Sequence, residues 1–81
     1  MQFDPDEVEW VFTDGSPITI EHPSIATRLI EIGYSQDDAL VIIPFEVVDA
    51  KIRVVTAYQA EHQKWWKVYE HEKNKQRRQN T

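Results

Sequence analysis

Residues 51–69, KIRVVTAYQAEHQKWWKVY, decide the fold, because the hydrophobic period changes part-way along them. Over residues 51–60, Ile52, Val54, Thr56 and Tyr58 share one face, and Arg53, Val55, Ala57 and Gln59 the other. The run is rich in β-branched residues and reads as a strand. From Glu61 the period becomes helical. At about 100° per residue, His62, Trp65, Trp66 and Tyr69 fall in a narrow arc, with Gln63, Lys64, Lys67, Glu70 and His71 on the far side. A strand followed at once by an amphipathic helix predicts that the helix folds back on a sheet through its aromatic arc.

The residues upstream supply the rest of that sheet. Residues 39–48 (ALVIIPFEVV) are nearly all apolar, as in a strand with much of both faces covered. Pro44 interrupts them, and because proline has no N–H for the ladder, this position should be a bulge or face an unpaired edge. Asp49-Ala50 is a tight connection. Residues 18–21 (ITIE) alternate, as do residues 8–12 (VEWVF), and Asp14-Gly15-Ser16-Pro17 is a turn signal, so residues 8–21 predict a hairpin. Residues 25–32 admit two readings, and pattern alone leans towards the first. Ser24 as N-cap, Gly33 past the end and Ile25, Leu29 and Ile32 at helical spacing fit a short helix. A strand would instead put Arg28, Ile30, Ile32 and Tyr34 on one face.

Eighty-one residues with 41% hydrophobic content make one small domain, placed here at residues 1–70. Past Tyr69 no large apolar residue remains, so residues 71–81 are expected to be a fraying helix end and then a disordered basic tail. The net charge of −5 hides an asymmetry: residues 1–50 carry eleven acidic residues and one basic one, Arg28, whereas residues 51–81 carry eight basic and three acidic. Such a split suits either a basic end that meets an anion or a tail that neutralises an acidic body. With no cysteine there is no disulfide framework or thiolate metal site. No run approaches the roughly 18 apolar residues of a membrane span, and the acidic MQFDPDEVEW is unlike a signal peptide, so a cytoplasmic protein is expected.

Little conventional site chemistry is present. His62 and His71 are nine residues apart and fall on different helix faces, and His22 has no second ligand beside it except Glu21, so no metal site and no cofactor are expected. Two glycines, Gly15 and Gly33, do not make a phosphate loop. Trp65 and Trp66 could stack on bases among lysines, but aromatics at the start of an amphipathic helix more often dock it, and core packing is expected for both. Arg28 and Arg53, projecting from neighbouring strands, could grip one phosphate. The plainer reading, which composition favours, pairs each with one of the many carboxylates.

The order VF…ITIEHP, RLIEIGYS, ALVIIPFEV, KIRVVTAYQA and a helix ending WWKVYE resembles the BrnT-like toxins, within the RelE/ParE-like group, over residues 11–70. That family has a strand beginning Val-Phe, an Arg-Phe-x-x-Ile-Gly segment, an apolar strand, an Arg-Ile-Ile-Ser-Ala-Arg-Lys-Ala strand and a helix ending near Tyr-Glu. The resemblance favours the strand reading of residues 25–32. It implies an α+β fold, a curved antiparallel sheet of about four strands with a C-terminal helix packed on it. It also implies metal-independent RNA cleavage and a cognate antitoxin protein as partner. Arg28 matches the arginine before Ile-Gly, and Arg53 the first arginine of the fourth strand; both would stabilise a charged phosphorane. Tyr58 or His62 would transfer protons, and Lys51, Lys64 and Lys67 would bind RNA.

Three departures weaken that catalytic expectation. The family's second arginine and its lysine are here Tyr58 and Gln59. The N-terminal helical region, which opens with Trp-Asp-x-x-Lys and includes Lys-His-Gly, is missing or reduced to Phe3-Asp4-Pro5. An acidic body also repels RNA. The first expectation is therefore an attenuated toxin component. The second is a non-catalytic interaction module on the same scaffold, which uses the strand edge near Pro44 or the Trp66 side of the helix to bind a protein or a second copy in a homodimer. A DNA-binding role for the basic tail fits only the tail's charge.

Overall fold

A helix stands where alternation predicted the first strand. The computed structural model describes residues 3–79, the side chains of Arg78 and Gln79 excepted. Helix α1 spans Pro5–Asp14. Asp4 caps it by accepting the N–H of Glu7 at 2.9 Å, and Pro5 stands at its start with Asp6 and Glu7 in the first turn. Phe3 before the cap and Val8 four residues after it join one apolar cluster, a hydrophobic staple. Val8 and Val11, three residues apart, are its buried positions. These end signals outweigh five residues of alternation, so the hairpin over residues 8–21 gives way to a helix, a turn and a strand. Phe3-Asp4-Pro5 is the start of an N-terminal helix and not the remnant of a lost one.

The sheet is antiparallel throughout. Strands β1 (Ile18–Glu21), β2 (Arg28–Tyr34), β3 (Leu40–Val48) and β4 (Lys51–Val54) follow in sequence order, and β5 (Tyr58–Gln59) also pairs with β3. Residues 25–32 therefore resolve as strand from Arg28 onwards. Ahead of it the Nδ1 of His22 accepts the N–H groups of Ser24 and Ile25 at 3.1 and 3.0 Å, which holds the chain in a turn. Helix α2 spans Gln63–Gln79. The α+β class, the antiparallel sheet and the packed C-terminal helix expected from the sequence are all present.

The strand expected at residues 51–60 is one path broken by a bulge. Between the pairs Phe45↔Val54 and Ile42↔Tyr58, β3 has two residues and the facing chain three. Val55 donates its N–H to the carbonyl of Pro44 at 2.9 Å. The N–H and C=O of a strand residue point the same way, so the N–H that Pro44 lacks would have faced this break. The bulge absorbs a missing donor.

Both faces of the sheet are covered, each by one helix. On one face Ile18, Ile30, Ile32, Leu40, Ile42 and Ala60 pack with Trp65, Trp66, Val68 and Tyr69 of α2. Tyr69 also donates to the carbonyl of Ser16 at 2.7 Å and meets Tyr34 edge-on, 5.3 Å between ring centres. On the other face Val41, Ile43, Ala57 and Val54 pack with Val8, Val11 and Phe12 of α1, and Phe12 meets Phe45 edge-on at 5.5 Å. Burying side chains such as Ile32, Ile42 and Val41 stabilises the fold by about 1.5–3 kcal/mol each. The helix expected to fray past Tyr69 continues to Gln79, through Glu, Lys, Gln and Arg, which favour helix, and with Lys73 over the Tyr69 ring at 5.8 Å. Residues 80–81 lie outside the described residues.

Two backbone positions test this account. Gly15 has an ordinary φ of −84°, but a Cβ there would overlap the carbonyl oxygen of Tyr34 and meet that of Val11 at 2.8 Å. Gly15→Ala should therefore cost about 1–3 kcal/mol. Ala50, at φ 64° in the β3–β4 turn, holds a left-handed conformation that suits glycine, so Ala50→Gly should gain about 1 kcal/mol. Urea unfolding midpoints that move in these opposite directions support the assignments, and unchanged midpoints would refute them.

Candidate functional site

The sheet register puts Arg28, Glu46 and Arg53 in one row. Arg28 lies opposite Glu46 and Glu46 opposite Arg53, so the arginines flank β3 on the same face with a carboxylate between them. The Nη2 of Arg28 contacts the Oε2 of Glu46 at 3.3 Å, with both side chains about one-quarter exposed. The Nε of Arg28 is buried without a hydrogen-bond partner. Arg28 thus follows the plainer expectation, pairing with a carboxylate. Arg53 is exposed and makes no ion pair among the described residues. Lys51, opposite Val48, shares its face. Instead of converging on one point, the two arginines are separated by Glu46, which engages Arg28 alone among the described residues.

The proton-transfer candidates lie elsewhere. Tyr58 pairs with Ile42, four positions along β3 from Glu46, or about 13 Å at the usual strand rise. His62 is exposed just before α2 and lines a shallow depression with Tyr58, Gln59, Glu61 and Trp65. Burial pushes the Tyr58 phenol above its ordinary pKa of 10.0. Lys64 sits over the Trp65 ring at 5.2 Å, and Lys67 lines a depression with Gln63, Trp66 and Glu70. Both tryptophans are partly buried against the core, as expected of docking residues. The structure therefore divides the expected set in two: Arg28, Arg53 and Lys51 at one end of the sheet, Tyr58, His62, Lys64 and Lys67 at the other.

A third place was not foreseen. Pro5, Val8, Glu9 and Phe12 of α1 and Ile52 and Val54 of β4 line an almost wholly apolar groove of about 410 Å³. Val47 and Ile52, cross-strand partners beside it, are each 56% exposed. β4 is the last strand on its side of the sheet, so its outer edge is unpaired among the described residues. The edge nearest Pro44 is occupied by β4 and β5, so the free edge lies one strand further out than expected. Seeing the groove in the sequence requires α1, whose signal is the Phe3-Asp4-Pro5-Asp6-Glu7 cap.

One buried carboxylate also escaped notice. Glu31, on the α1 face of β2, is 7% exposed and accepts a hydrogen bond from the Thr19 hydroxyl. Among the described residues no group of three or more His, Cys, Asp or Glu could hold a metal ion, and no helix is long and apolar enough to cross a membrane. Comparison of the chain with protein-family models, curated proteins and solved structures finds no match.

Burial raises the pKa of Glu31 above 4.5, and the Thr19 hydrogen bond offsets this only in part. The folded chain therefore holds this proton more tightly than the unfolded chain. The contribution to stability is full below about pH 4.5 and is lost as pH rises through the raised value. Glu31→Gln keeps an acceptor for Thr19 and buries no charge. Its urea midpoint should exceed that of the wild type at about pH 8 and approach it at about pH 4. A difference that does not vary with pH would contradict the assignment.

Proposed function

We propose that the chain is a protein-interaction module on a toxin-like scaffold, with the outer side of β4 and the adjoining groove as its docking surface. The observation that carries this reading is the coincidence of an unpaired strand edge with an apolar groove and two exposed aliphatic side chains, Val47 and Ile52. Cleavage of RNA by an in-line 2′-hydroxyl needs an acid, a base and cations around one phosphate. The separation of Tyr58 and His62 from the arginine row, and the capture of Arg28 by Glu46, both count against such a centre.

A second reading, an attenuated toxin component that binds or cuts RNA and is held by an antitoxin, draws support from Arg53. It is an exposed cation without an ion pair among the described residues, close to Lys51 on one face. Incubation of the purified protein with RNA separates the two readings. Intact RNA is expected. Cleavage that disappears in Arg53→Ala would overturn the interaction reading. A partner captured from native extract, identified and then purified should bind Ile52→Asp at least about tenfold more weakly, as expected when a charge enters an apolar contact. Equal binding would move the docking surface elsewhere.

A further inference from the structure

Resting on that docking reading, we infer that the occupant of the β4 edge is an extended segment that alternates acidic and apolar residues and adds to the sheet as a further antiparallel strand. Val55 N–H points inward to Pro44, so Arg53 and Lys51 continue the inward alternation, and the N–H and C=O of Ile52 and Val54 point outward. These are the backbone groups that an added strand would pair.

The side chains then select the occupant. Residues directly opposite each other on paired strands share a face. Across the sheet the row Arg28, Glu46, Arg53 alternates in sign, and Glu46 is engaged at 3.3 Å by Arg28. The next place in that row, beyond Arg53, is therefore suited to an anion, as is the place beside Lys51. On the opposite face Ile52 and Val54 open on the groove with Pro5, Val8 and Phe12, and Glu9 at its rim repels a second carboxylate there. Acidic residues on one side and apolar residues on the other satisfy both faces at once.

A second copy of the chain does not. In an antiparallel self-pairing centred on Ile52, Lys51 would face Arg53 of the other copy. Centred on Arg53, two arginines would face each other. Both arrangements place like charges opposite one another, which destabilises the pair.

The test uses the full chain and two short peptides, one alternating valine with glutamate and one valine with lysine. The glutamate peptide should bind and slow hydrogen exchange of the Ile52 and Val54 amides. Arg53→Glu should bind it about fivefold more weakly and gain affinity for the lysine peptide. Equal binding of both peptides by the wild type, indifference to Arg53→Glu, or a protein that sediments as a dimer through β4 would each overturn the inference. If neither peptide binds, yet the purified partner is still lost in Ile52→Asp, the strand chemistry fails and the docking reading stands. If Ile52→Asp leaves that partner bound as well, the docking reading itself fails.

Discussion

Helix α1 can lie on the sheet only because two glycines let it come close. At Gly33 in β2 a Cβ would stand 3.0 Å from the Val11 side chain, 3.1 Å from the Gly15 carbonyl and 3.2 Å from Pro17. At Gly15 it would run into the backbone of Tyr34. These are the chain's two glycines, and they meet at one crossing, where Tyr34 donates its N–H to Gly15 O at 2.9 Å. Neither has a positive φ; both are there for space. The crossing sets the end of α1, the entry to β1 and the distance at which Val8 and Val11 reach Val41 and Ile43. At the β4 end α1 leaves an apolar groove open to solvent.

The other decisive feature is Pro44. A proline in the middle strand removes a donor on the side that faces β4 and β5, and the chain answers with one extra residue there. The bulge divides a ten-residue path into a four-residue edge strand and a two-residue one. Short, charged edge strands resist unwanted pairing. Lys51 and Arg53 give β4 this guard, while Ile52 and Val54 keep the opposite side apolar. The edge is thus protected against copies of itself and remains open to a strand of complementary charge.

Much of the architecture was legible in the sequence. The change of period at Glu61 and the apolar run at residues 39–48 specify the helix and the central strand through local pattern alone, whereas Pro44 left a bulge and an unpaired edge both open, and the extra residue lies in the chain facing it. The first helix was misread because VEWVF satisfies two periods at once, Val8, Trp10 and Phe12 for a strand and Val8 and Val11 for a helix, and only the preceding cap separates them. The site was less legible because it depends on register. Nothing in the one-dimensional spacing of Arg28, Glu46 and Arg53 says that they form a row; that follows only when Arg28 falls opposite Glu46 and Glu46 opposite Arg53. The groove depended on a helix not foreseen, and the burial of Glu31 on strand pairing from both sides.

The place of Tyr58 on β5 shows how the two parts of the fold constrain each other. Here Tyr58 is partly buried and packs against the cluster that seats α2, beside Trp65 and Ala60. Burial already disfavours the ionised phenol at this site, and an arginine in its place would carry a charge into the same surroundings without a carboxylate in the row to receive it. The helix arc of Trp65, Trp66 and Tyr69 therefore claims this site for packing. Seating the helix and holding a cation are competing demands on one residue, and the aromatic side chain meets the first. What remains free to act lies at the far end of the sheet, where Arg53 and Ile52 face opposite ways from the same edge strand.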